Sequence, residues 1–106
     1  MKGTYFKFYV HEHRKHHGIL LYEWLLERAR KIGIHGGSVF RAIAGFGQHG
    51  VLHEDHFFEL AGNLPVEIVF IVNDEEAAHL LDVIQQEQIR VFYARMPTEY
   101  GMVNGD

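Results

Sequence analysis

The sequence predicts an α+β fold, namely a ferredoxin-like βαββαβ domain whose four-stranded antiparallel sheet has two helices on one face. Four segments have the alternating or β-branched composition of strands, and two segments have apolar residues at helical spacing. These segments follow one another in the order strand, helix, strand, strand, helix, strand. The 106 residues allow a single domain, residues 1–106, with a long loop at about 47–64.

The first half of the chain contains the first strand, the first helix and the second strand. Residues 4–10 alternate between two faces, which is the period-two pattern of a strand. Residues 21–32 have apolar side chains every three or four positions, and Gly33 is well placed to end this helix. Residues 37–44 combine β-branched and aromatic side chains between glycines, which indicates the second strand.

The second half contains a strand, a helix and a final strand. Residues 65–72 form a β-branched run that indicates the third strand. Asn73, followed three residues later by Glu76, resembles a capping box and predicts the start of the second helix. Residues 89–96 alternate again as the fourth strand, and Pro97 with the glycine-containing tail is expected to close the domain.

Composition excludes several classes of function. The chain has no cysteine, so disulfides, thiolate metal sites and a cysteine nucleophile are excluded. A net charge of −4 argues against nucleic acid as a partner. No nucleophile, base and orienting group stand at fixed spacing, so we expect no enzyme. The N-terminus lacks a signal-peptide pattern and no apolar run approaches about 20 residues, so a soluble cytoplasmic protein is expected.

Both faces of the predicted sheet carry apolar side chains. Strands that are rich in Phe, Tyr, Val and Ile on both sides imply that the face opposite the helices is also buried. In a chain this short, an interface with another subunit is the simplest way to bury that face. The pattern therefore predicts an oligomer and leaves dimer and trimer open.

A spaced pattern in the middle third of the chain carries a family resemblance. It comprises residues 32–39, Arg41, residues 45–47 with the letters Gly-Phe-Gly, and residues 63–65 with the letters Asn-Leu-Pro. In this pattern the sequence resembles the PII signalling family and, more closely, its uncharacterised PII-like relatives. His16 and Gly18, ahead of residues 21–23, are also similar to the opening of the PII-like group.

The resemblance implies a PII-like homotrimer with a T-loop between the second and third strands and an adenine-nucleotide or similar site between neighbouring subunits. No cofactor is required. Glycine lets a ligand approach main-chain N–H groups, and an arginine fork suits phosphate or carboxylate. The matched positions are the candidate ligand-binding residues: Gly36, Gly37, Ser38, Val39, Arg41, Gly45, Phe46 and Gly47.

Two departures from the PII pattern bear on the ligand. Val66 stands where PII proteins proper have a lysine, and the chain passes through residues 85–88 without their glycine- and lysine-containing phosphate loop. These departures make a less charged ligand, such as a nucleoside monophosphate, at least as plausible as a triphosphate.

The long loop is expected to contact a target protein, because binding residues tend to lie on long loops of a rigid scaffold. The candidate contact residues are Gln48, His49, His53, Asp55 and His56. In this hypothesis, ligand binding orders the loop, which then docks on or releases an unknown target such as a membrane transporter.

The nine histidines suggest an alternative function. His11 and His13 have strand spacing and, with His53, are candidate ligands of a divalent-metal-binding trimer of the cation-tolerance type. Because the motif lacks the fixed spacing of known zinc modules, the leading hypothesis includes no metal site. Arg41 also has an alternative role, which is to pair with Glu67 or another acid across the sheet. Trp24 is expected to pack on its helix.

Overall fold

A computed structural model describes residues 1–46 and 64–105. Its elements are β1 (Lys2–His11), β2 (Lys15–His16), β3 (Ile19–Leu20), α1 (Leu21–Lys31), β4 (Gly37–Arg41), β5 (Pro65–Val72), α2 (Asp74–Gln86) and β6 (Phe92–Glu99). The main sheet has the strand order β4-β5-β1-β6, and all of its pairs are antiparallel. The predicted ferredoxin-like order is confirmed, with a small β2–β3 hairpin inserted between β1 and α1.

The core lies between one face of the sheet and the two helices. Phe6 and Phe8 of β1 and Ile68 and Phe70 of β5 are at most 1% exposed. The rings of Phe6 and Phe8 are stacked with centroids 4.6 Å apart, and Phe8 meets the Phe70 ring edge-on at 6.1 Å. The helices complete the core with buried residues at helical spacing: Leu21, Trp24, Leu25 and Ala29 of α1 and Ala77, Leu80 and Ile84 of α2.

The predicted helix ends are confirmed. At the start of α2, the Asn73 side chain accepts a hydrogen bond from the Glu76 amide at 2.7 Å, and the Glu76 side chain accepts one from the Asn73 amide at 2.9 Å. At the end of α1, Gly33 has a φ of 101°, and the amide of Ile34 donates to the carbonyl of Ala29 at 3.0 Å. This is the Schellman pattern, which a glycine with positive φ allows.

The bounds of two strands were predicted wrongly. The second strand ends at Arg41 and not at Ala44. The fourth strand runs from Phe92 to Glu99, so Pro97 lies within it and does not close the domain. Proline is tolerated there because β6 is an edge strand, which needs ladder hydrogen bonds on one side only.

The sheet face opposite the helices, which we call the open face, carries large apolar side chains. The strand register places alternate residues of β1, β4, β5 and β6 on it. Near its centre, Lys7 Nζ lies 3.3 Å from Glu67 Oε1, and the hydrogen bond to Glu67 raises the pKa of Lys7. Around this pair, several apolar side chains are about half exposed: Phe40, Ile71, Phe92 and Met96. The predicted apolar face is therefore present.

Candidate functional site

The glycines at the start of β4 have different surroundings. β4 is an edge strand of the sheet and hydrogen-bonds to β5. A Cβ atom on Gly37 would lie 2.5 Å from the Phe70 ring, so Gly37 is needed for close packing of the strand on the core. A Cβ atom on Gly36 would meet no atom within 4 Å. Gly36 therefore borders open space beside the exposed Ser38.

Arg41 is held by a buried carboxylate at the end of β4. Its Nε donates to Oε1 of Glu12, whose side chain is 9% exposed, whereas the side chain of Arg41 is 67% exposed. The backbone amide of Glu12 donates to the carbonyl of Leu64 at 3.2 Å. The imidazole of His13 lies 3.6 Å from Oε2 of the Glu12 carboxylate. A buried carboxylate needs partners such as Arg41 and His13, because an uncompensated charge is costly to bury. The guanidinium is therefore anchored on one side and open to solvent on the other.

The structure shows that Arg41 does pair with an acid, which was the alternative role considered for it. The partner is Glu12, 29 positions away, whereas Glu67 pairs with Lys7. Glu12 was not identified from the sequence, where it lies in a polar stretch between two histidines. Its burial arises because the end of β1 meets the chain that enters β5, and no local pattern records that contact.

The other predicted site residues have separate positions. Val39 is half-buried and packs against the core, so it supports the strand. A Cβ atom on Gly45 would lie 3.2 Å from the Pro65 ring, and the side chain of Phe46 is exposed. The remaining candidates lie outside residues 1–46 and 64–105: Gly47, Gln48, His49, His53, Asp55 and His56.

The histidines are arranged differently from the sequence-based alternative. β1 ends at His11, so His13 lies in a turn and the two do not share a strand face. Within the described part of the chain, three metal-ligating side chains come together elsewhere, at His16, His17 and Glu87. The hydrogen bond from His16, together with the charge of Arg28, lowers the pKa of Glu87. Sequence spacing gave no signal for the part of Glu87 in this cluster, because Glu87 lies 71 positions after His16.

A groove of about 600 Å³ lies beside the start of α2 and was not predicted. Its lining carries charges of both signs, from Lys2, Arg95, Asp74 and Glu99. The hydroxyl of Thr4 donates to Asp74 at 3.3 Å. The two cationic and two anionic side chains leave the lining without an excess of either charge.

The helices of the described residues are too short and too polar for any of them to cross a bilayer.

Comparison with known proteins identifies relatives over most of the chain. Residues 3–92 match the family DUF190, described as "Uncharacterized ACR, COG1993". The UPF0166 protein of Aquifex aeolicus is 33% identical over 85 residues, which cover 80% of this chain and 81% of that protein. A UPF0166 protein of Methanocaldococcus jannaschii is 37% identical over 76 residues, which cover 72% of this chain and 68% of that protein.

A solved structure has a similar fold. CPII of Thiomonas intermedia K12, a nitrogen regulatory PII-like protein bound to ADP, AMP and bicarbonate, matches with a TM-score of 0.64. The sequences are 18% identical, and the match covers 98% of this chain and 92% of that chain. The similarity confirms the PII-like, ferredoxin-like fold that the sequence predicts.

Proposed function

We propose a function from the premise that the chain belongs to the DUF190 family, described as "Uncharacterized ACR, COG1993". In this proposal it is a PII-like regulatory protein that binds an adenine nucleotide between the subunits of a homotrimer. The observation that carries the proposal is Arg41, a solvent-exposed guanidinium that a buried carboxylate anchors on an edge strand beginning with glycine. The proposal assigns no catalytic step to the chain.

The geometry of Arg41 favours a ligand with phosphate or carboxylate groups. A guanidinium presents a planar fork of N–H donors, which matches the oxygen atoms of these groups. Because Nε is committed to Glu12, the two Nη groups are the donors that a ligand would meet. Gly36 leaves open space near the beginning of the same strand, where a ligand can approach the main chain.

The charge of the site favours a nucleoside monophosphate or diphosphate over a triphosphate. The segment at the end of α2, residues 85–88, consists of three glutamines and a glutamate and supplies no cation. Val66 supplies none at the start of β5. CPII, which shares the fold, is bound to ADP, AMP and bicarbonate. These observations support ADP and AMP as the first ligands to test.

The open face supports assembly into a trimer. Its exposed aromatic and aliphatic side chains would be covered if three copies packed these faces around a common axis. The Lys7–Glu67 pair would then satisfy its own charges within the interface. Trimer formation would bring β4 of one copy near its neighbour and so complete the nucleotide cleft.

The loop provides the proposed output. Residues 47–63 lie between β4 and β5 in the sequence, and Arg41 pairs with Val66 in the sheet, so a ligand at Arg41 would lie near the start of the strand that follows this segment. In the proposal, nucleotide binding changes how this segment contacts a target protein, with a membrane transporter as one candidate class.

Isothermal titration calorimetry with AMP, ADP and ATP tests the proposal. We expect ADP or AMP to bind wild-type protein and R41Q to weaken binding at least about tenfold, because a charge-assisted hydrogen bond is lost. The matched control is R30Q, since Arg30 is an exposed arginine on α1 that pairs with Glu27. The double variant E12Q/R41Q removes both charges and so avoids an unpaired buried carboxylate. The proposal is wrong if no adenine nucleotide binds at millimolar concentration, or if R41Q and R30Q bind equally well.

A further inference from the structure

We propose that His16, His17 and Glu87 form a binding site for a divalent transition-metal ion, for which Zn²⁺ is the reference ion. The site differs from the set His11, His13 and His53 that the sequence suggested. Two imidazole nitrogens and one carboxylate oxygen form a donor set that binds Zn²⁺ in proteins and leaves a coordination position open. The inference is independent of the proposed nucleotide site.

The distances in the cluster are close to those of a coordinated ion. His16 Nε2 lies 2.8 Å and His17 Nε2 lies 3.4 Å from the same carboxylate oxygen, Oε1 of Glu87. One ligand atom from each residue lies within 4.8 Å of the others. A tetrahedral ion with bonds of about 2.0–2.1 Å needs donor atoms that are about 3.4 Å apart. Small side-chain rotations would therefore suffice to enclose an ion.

The backbone holds His17 in a tight turn directly after His16. Strands β2 and β3 are joined by a two-residue turn, His17 and Gly18, whose φ angles are 53° and 83°. Two successive positive φ angles characterise a type I′ turn, in which Asn and Gly are preferred. Histidine, like asparagine, is among the non-glycine residues enriched at positive φ, so the turn accommodates His17. The imidazole of His17 then lies 3.4 Å from the same carboxylate oxygen of Glu87 that His16 contacts.

Glu87 is fixed at the C-terminal end of α2. Gln88 has a φ of 58°, and its amide donates to the carbonyl of Gln85 at 3.0 Å. The amide of Ile89 donates to the carbonyl of Ile84 at 3.3 Å. This Schellman pattern makes Glu87 the C-cap. A helix C-terminus carries partial negative charge, and the last turn of α2 has no basic residue. A carboxylate at this end adds to the negative potential. Cationic Arg28 of α1 interacts with Oε2 of Glu87, so Oε1 is the oxygen that a metal ion would meet.

Two residues of α1 orient the proposed ligands. The His16 ring meets the Trp24 ring edge-on, with centroids 5.0 Å apart. Arg28 lies over the Trp24 ring at 5.1 Å, and its Nη2 is 3.7 Å from Oε2 of Glu87. Arg28 thus interacts with one carboxylate oxygen while the imidazoles face the other. Such outer contacts orient metal ligands in known sites.

An ion at this position would connect parts of the chain that are distant in sequence. His16 and His17 belong to the β2–β3 hairpin, and Glu87 lies 71 residues after His16. The His17 side chain is 75% exposed, so water can reach the remaining coordination positions. Because the unfolded chain lacks this arrangement, a bound ion would stabilise the folded state and raise the melting temperature.

Calorimetric titration of the full chain with ZnCl₂ tests the site. We expect one Zn²⁺ per chain to bind here and to raise the melting temperature. H17N removes the imidazole but keeps a residue that accepts positive φ, and E87Q preserves the shape of the side chain while removing its charge. Each variant should weaken Zn²⁺ binding at least about tenfold, since changes even to outer contacts weaken metal sites by that amount.

Two controls separate this site from other histidines. H79Q changes an exposed histidine on α2 outside the cluster, and the triple variant H49A/H53A/H56A removes the histidines of residues 47–63. Both controls should retain the wild-type affinity of the site, and Co²⁺ should give tetrahedral absorption bands that disappear in H17N and E87Q. The proposal is overturned if H17N and E87Q bind Zn²⁺ as tightly as wild type, or if Zn²⁺ does not bind to wild type at millimolar concentration. It is also overturned if H79Q loses binding, or if the triple variant loses binding while H17N and E87Q retain it.

Discussion

The adjacent glycines at the beginning of β4 allow a sharp prediction, because only one of them is required by packing. In G37A, the new methyl group would lie 2.5 Å and 2.8 Å from two carbons of the Phe70 ring and 3.0 Å from a methyl group of Leu26. Favourable carbon contacts begin at about 3.5 Å, so the ring must move by about 1 Å. Phe70 is 1% exposed and meets the ring of Phe8, so this movement disturbs the core.

The expected magnitude follows from the cost of overpacking. Forcing an extra methyl group into a packed core destabilises proteins by about 1–3 kcal/mol. For a domain of this size, 1 kcal/mol corresponds to about 4–8 °C in melting temperature. G37A should therefore melt at least about 4 °C below wild type. In G36A the new methyl group meets no atom within 4 Å. The free energy of unfolding should therefore change by less than about 0.5 kcal/mol.

Thermal and urea unfolding, followed by circular dichroism, measure both variants under the same conditions. The comparison is internally matched, because the two substitutions are chemically identical and adjacent. Equal stability of G37A and wild type would refute the packing argument, and so would a loss in G36A as large as that in G37A. If Gly36 borders the ligand site as proposed, G36A should weaken ADP binding without a loss of stability.

Three further predictions concern the second helix, the open face and the first helix. N73A removes the side-chain acceptor of the capping box and should lower the free energy of unfolding by about 1 kcal/mol in urea titrations, and unchanged stability would contradict the cap assignment. F92E/M96E places two charges on the open face and should give monomers in place of the proposed oligomer, as measured by light scattering. An oligomer that persists in this variant would exclude the open face as the interface. The hydrogen bond from Arg30 lowers the pKa of Glu27 below 4.5, so the stabilisation from this pair is present above pH 4.5 and is lost as the pH falls through the lowered value. The stability difference between wild type and E27Q should therefore shrink in acid, and a difference that grows below pH 4.5 would contradict this sign.

Most of the fold could be predicted from the sequence because its signals are local. Strand alternation, the capping box at Asn73 and the stop at Gly33 each lie within a few residues. The fourth strand was placed too early because Ile89 and Val91 continue the apolar alternation while they pack against the core ahead of the strand. The β2–β3 hairpin was missed because strands of two residues have no measurable period.

The site could be predicted only in part, for a physical reason. Arg41 and the glycines belong to one continuous segment, so their pattern is visible in the sequence. The acid that anchors Arg41 and the acid that meets His16 come from distant segments, Glu12 and Glu87, which tertiary packing brings into place. A single sequence carries no local signal for such pairs.

Native mass spectrometry of the purified protein with ADP tests most directly the central claim, that three copies form a nucleotide-binding assembly around Arg41. The account predicts a species of three times the chain mass of 12.3 kDa that carries up to three ADP molecules. The E12Q/R41Q variant should keep the trimer mass and lose the bound ADP. A monomer at micromolar concentration, or a trimer whose ADP occupancy is the same in E12Q/R41Q, would contradict the account.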